Sequence, residues 1–84
     1  MAFAPTTQLI MVLIEMHPGQ EAPLGAAWVR VLAVSGGYEL QGSLSDIPGV
    51  MSRYGVYQGR FEAGQAGIDH ARACGCPLLY VERH

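Results

Sequence analysis

Eighty-four residues with a formal net charge of −2 carry five arginines, no lysine and seven acidic groups. Nucleic acid is thereby excluded as a main ligand, because backbone binding needs a concentrated positive field and the sequence has no basic run. Crossing a bilayer takes roughly 20 apolar residues, and the longest uninterrupted apolar run, Leu9 to Ile14, falls far short, so no membrane partner is expected.

The length fits one domain, 1–84, with a single core. At this size burial only just offsets chain entropy, and association with a copy or a partner helps. Half of the residues are hydrophobic and only 14% are charged, which leaves apolar surface outside; large exposed apolar patches mark contacts. The N-terminal MAFAPTTQ lacks the positive region of a secretion signal, so the expected location is cytoplasmic. In that compartment Cys74 and Cys76 are expected as free thiols, and the single residue between them makes a bridge strained.

Residues 1–8, with Pro5 and two threonines, read as a loose arm. Leu9 to Met16 is a nearly continuous apolar run closed by Glu15 and Pro18-Gly19, the pattern of a central strand covered on both faces. Residues 17–25, HPGQEAPLG, are a loop by composition, with His17 a solvent-exposed turn residue at its start.

Ala27 to Val34 and Tyr38 to Leu44 flank Gly36-Gly37, a dipeptide that supplies the positive φ angles of a two-residue hairpin turn. That turn sets Ser35 opposite Tyr38, Ala33 opposite Leu40, Val31 opposite Gly42 and Val29 opposite Leu44. One face then collects Val29, Val31, Ala33, Leu40 and Leu44. The other collects Trp28, Arg30, Leu32 and Val34 beside Glu39, Gln41 and Ser43, with Arg30 and Glu39 close enough to pair.

In residues 45–60, Ser45 or Asp46 could cap a short helical turn from near Pro48 to Gly55, with Val56 and Tyr57 then starting an extended stretch; a loop throughout is the alternative. Arg53, Tyr54 and Tyr57 give the segment the composition of a contact surface. A helix follows from about Glu62 to Cys74. Its apolar stripe is thin, and its Ala and Gly residues allow close approach to a sheet at a cost in helix propensity. Gly75 and Pro77 stop it. Leu78 to Arg83 is a strand, with Glu82 and Arg83 marking its exit into solvent.

The expected fold is therefore α+β: an antiparallel sheet of three to five strands with one helix packed on one face, in the order β-β-β-α-β. One helix covers one side of the sheet. The other side, with Trp28, Arg30, Leu32 and Val34, and with Arg53, Tyr54 and Tyr57 nearby, is the expected partner-binding surface unless the N-terminal arm or the 45–60 segment folds over it.

The chemistry-bearing residues give little beyond this. His70 and Cys74 share a helical face and Cys76 lies just past the turn, so these three could converge as soft metal ligands, although a closed zinc site usually has two ligand pairs. The plain alternative is a core Cys74 and a His70 placed favourably near the helix C-terminal dipole. Cys76 lies beside the negative end of that dipole, which disfavours a reactive thiolate. Asp69 and His70 point to different faces, and no nucleophile elbow, HExxH pair or phosphate loop is present. The reading is a non-catalytic protein-interaction module without a cofactor, either a homodimer or a small regulator or inhibitor docking on a larger protein. The alternatives are a metal- or small-ligand-binding domain at His70, Cys74 and Cys76, and a small enzyme.

Overall fold

The computed structural model of the protein describes residues 10–44 and 51–83. The expected arm at 1–8 and the caps at Ser45 and Asp46 lie outside the described residues. Five strands, β1 (Val12–Met16), β2 (Trp28–Val34), β3 (Gly37–Ser43), β4 (Ser52–Tyr57) and β5 (Leu78–Arg83), and one helix, α1 (Arg60–Ala73), form a single α+β domain. The strands lie in the order β1-β5-β2-β3-β4, and α1 packs against β2, β3, β4 and β5.

The sheet is mixed, whereas the sequence suggested antiparallel pairing throughout. Strands β2, β3 and β4 form an antiparallel meander, but β5 runs parallel to both neighbours, β1 and β2. The cause lies in the connections. A helical crossover returns the chain in its original direction, so β5 leaves α1 and inserts between the first two strands. Strand β4 takes in Val56 and Tyr57, where an extended stretch was expected, and reaches back to Ser52, where a helical turn or loop was expected. Ser52, Arg53, Tyr54, Val56 and Tyr57 favour extended structure once β3 offers an open edge.

The β2–β3 hairpin keeps the expected faces but shifts the expected register by two residues. Val34 pairs with Gly37, Val31 with Leu40 and Val29 with Gly42, so the turn is Ser35-Gly36. Only Gly36 of those two takes a positive φ, 91°. Gly37 pairs with Val34 in the ladder, and β4 passes so close there that any Cβ would collide with the carbonyl oxygen of Tyr57. A shift of two, unlike a shift of one, leaves every side chain on its own face.

The helix ends as the sequence indicates. Gly75 adopts φ 74°, its N–H donates to the carbonyl of Arg72 at 3.0 Å, and the Cys76 N–H donates to that of Ala71 at 3.0 Å. These two bonds define a Schellman stop, with Cys76 and Ala71 meeting in the core. At the other end Gly59 caps the helix without a side-chain bond, and Glu62 in the first turn and Arg72 in the last suit the dipole. Ala63, Gly64, Gly67, Ile68 and Ala71 form its buried stripe. A Cβ on Gly67 would lie 3.0 Å from Leu40 and 3.1 Å from Val29, so this glycine sets how closely helix and sheet approach.

The core lies between them. Val29, Val31, Leu40, Leu79 and Val81 are fully buried there, each contributing about 1.5–3 kcal/mol of apolar transfer.

Candidate interaction surface

The side of the sheet away from α1 is built from rows that run across the strands. From β1 to β4, Met16 is followed by Glu82, Arg30, Gln41 and Arg53, and these last four form a polar row. On one side of it lie Ile14, Tyr80, Trp28 and Ser43, and beyond them Val12 and Leu78. On the other side lie Leu32, Glu39 and Val56, followed by Val34. Val12, Ile14, Leu78, Val34 and Val56 are all exposed. Apolar ground therefore flanks a charged centre.

Part of this face is covered by a segment of the chain other than the two expected to cover it. Because β1 and β2 are parallel and separated by β5, residues 17–27 must return the full length of a strand. They run along the open face, where the Gly19 N–H donates to Glu82 Oε1 at 2.8 Å. This strap explains a departure from expectation: Glu82 does not exit into solvent but is 1% exposed. A buried carboxylate requires partners, and Glu82 has both the strap amide and an ion pair with Arg30.

Arg30 therefore pairs with Glu82 and not with Glu39. Parallel pairing of β2 and β5 sets Arg30 directly opposite Glu82, whereas Glu39 lies opposite Leu32 and meets Arg53 at 3.7 Å. The Arg30 guanidinium also lies 5.2 Å from the centre of the half-buried Trp28 ring, within cation–π range. Two hollows flank Arg30. One of about 330 Å³ is bounded by Met16, Glu21, Ala22, Trp28, Arg30 and Met51. The other, about 310 Å³, is bounded by Gly19, Glu21, Arg30, Leu32 and Glu82.

The structure gathers Trp28, Arg30, Leu32, Val34 and Arg53 on this face but separates two other residues expected near them. A bulge in β4, where the register with β3 shifts at Leu40/Gln41, turns Tyr54 toward the helix. Its ring centre lies 5.1 Å from that of His70, and both Tyr54 and Tyr57 pack at the margin of the core. Sequence reading missed Glu82, Val12, Ile14 and Leu78 as residues of this face. The apolar run containing Val12 and Ile14 was visible, but the parallel order that places β5 beside it was not.

The soft-ligand trio is divided. Cys74 is exposed and Cys76 buried, both free thiols, and they border a hollow of about 560 Å³ with Gly25, Ala27, Leu44 and Leu78, whereas His70 is not among the residues lining it. The Cys76 Sγ donates weakly to the Leu44 carbonyl at 3.8 Å. Among the described residues no three His, Cys, Asp or Glu side chains gather into a group that could hold a metal ion. No described helix is long and apolar enough to cross a membrane.

Comparison with known protein families, with curated proteins and with solved structures finds no match to this chain.

Proposed function

We propose that the protein is a non-catalytic interaction module that works by self-association or by docking, as a small regulator or inhibitor, on a larger protein. The carrying observation is the uneven cover: α1 shields one face of the sheet, while the other, crossed in part by residues 17–27, keeps Val12, Ile14 and Leu78 exposed on the side of a half-buried Trp28 and Val34 and Val56 exposed across the polar row. Exposed apolar ground of this extent beside polar groups that can pair marks association surfaces. The hollow beside Trp28 gives the face relief into which a partner side chain fits, and a desolvated aromatic anchor is the usual source of binding energy at such contacts.

The test is replacement of Trp28 and Leu32 by glutamate, followed by sedimentation and by pull-down from native extract. The reading expects association to fall with the fold intact, as judged by circular dichroism. It is refuted by a wild-type chain that stays monomeric and recovers no partner.

A second reading, small-ligand binding, draws on the hollow lined by Cys74 and Cys76, whose volume of about 560 Å³ lies within the range of ligand sites. Protection of the exposed Cys74 thiol from labelling by a bound small molecule would raise it above the first.

A further inference from the structure

We infer that β1 is the self-association edge of this protein, and that a second copy lays its own β1 antiparallel against it about a two-fold axis, joining two five-stranded sheets into one. The inference rests on the reading of the chain as an association module and names the partner as another copy. It begins from a mismatch between pattern and place. Residues 9–16 have the composition of a strand covered on both faces, yet β1 lies at the margin of the sheet with Val12, Leu13 and Ile14 exposed by 53%, 42% and 36%. Helix α1 does not reach it among the described residues.

The backbone geometry fits a strand as the occupant. The Val12 N–H donates to the Pro77 carbonyl at 3.0 Å, so in the parallel ladder Val12, Ile14 and Met16 direct their backbone groups toward β5. Leu13 therefore directs its N–H and carbonyl outward. Natural edges are blunted by charged side chains, above all lysine, and by proline, bulges or short length; the five residues of β1 carry one charge, Glu15, and no lysine, proline, glycine or register shift.

The opposite margin differs. Strand β4 carries a bulge and Arg53, which resist strand addition. Among the described residues, pairing of β1 with β1 therefore leaves the protected β4 edges outside, and a two-fold contact closes at two copies without extending into a filament. An antiparallel register centred on Leu13 sets Leu13 against the Leu13 of the second copy and Met11 against its Glu15. The one charged residue in the strand then meets no like charge.

The test uses the full chain in sedimentation velocity over a concentration series, with Leu13→Pro and Leu13→Lys as edge variants and Trp28→Glu as a face variant. Proline at Leu13 removes an outward N–H and spares the ladder to β5. The expected result is a concentration-dependent dimer, weakened about tenfold or more by each Leu13 variant and by less than that by Trp28→Glu, which lies two strands in from the edge. Hydrogen exchange on the wild type adds an arm independent of variant folding: the Leu13 amide exchanges more slowly as the dimer fills.

A wild-type chain that remains at single-chain mass overturns edge pairing, as does a dimer with an unprotected Leu13 amide or one that survives both folded Leu13 variants. A dimer broken by Trp28→Glu alone overturns the edge and keeps the association reading. That broader reading fails only when a monomeric wild type also recovers no partner.

Discussion

Enlarging Gly67 measures how closely α1 lies on the sheet. A Cβ at this position would contact Leu40 Cδ1 at 3.0 Å, Val29 Cγ2 at 3.1 Å and Val29 Cβ at 3.3 Å. Alanine gains about 1 kcal/mol of helix propensity over glycine. Overpacking a close-fitting core costs about 1–3 kcal/mol, and Leu40 and Val29, both fully buried, have little room to yield. Gly67→Ala is therefore expected to be destabilised by about 1 kcal/mol net, a fall in Tm of about 4–8 °C for a domain of this length.

Valine adds two more methyl groups at the same place, and Gly67→Val should lose about 3 kcal/mol or more. That is a large part of a stability of about 0.05–0.15 kcal/mol per residue. Thermal and urea unfolding followed by circular dichroism give both values. A Gly67→Val protein as stable as wild type would show that the helix does not pack over Val29 and Leu40, and the account of the core would fail with it.

The strap over the open face depends on Glu82. Glu82→Gln removes the charge that Arg30 and the Gly19 amide meet, and is expected to cost about 2 kcal/mol in urea unfolding. The double change Arg30→Met with Glu82→Leu should recover most of that loss, because a buried pair replaced whole leaves no unpaired charge; equal or greater loss in the double variant contradicts the pairing. At the helix stop, Gly75→Val should lose about 1–2 kcal/mol, since φ 74° is strained for a residue with a Cβ; an unchanged Tm rules out the Schellman geometry. Thiol titration of the native protein should show Cys74 reacting promptly and Cys76 only as the chain unfolds; two fast thiols would contradict the burial of Cys76.

Local chemistry accounts for what the sequence made legible. The helix stop at Gly75, the span of β5 and the two faces of the hairpin follow from glycine geometry and a period of two, which act within a few residues. The order of strands does not. Nothing local tells β5 to insert between β1 and β2, and three consequences were hidden with that placement: the mixed sheet, the Arg30–Glu82 pair and the strap that buries Glu82.

The same cause governs the interaction surface. Trp28, Arg30, Leu32 and Val34 were readable as one face because alternation along a single strand is enough. Tyr54 was misplaced by a bulge that sequence alone does not announce. The apolar run at β1 was readable as a central strand, and among the described residues the structure places it at the margin of the sheet. That conflict is the physical basis for expecting a second chain.

Sedimentation velocity of the wild-type protein over a hundredfold range of concentration tests the central claim most directly. The account predicts a shift from the single-chain mass of 9.0 kDa toward twice that value as concentration rises. A mass of 9.0 kDa at every concentration, with no partner recovered from native extract, would contradict it.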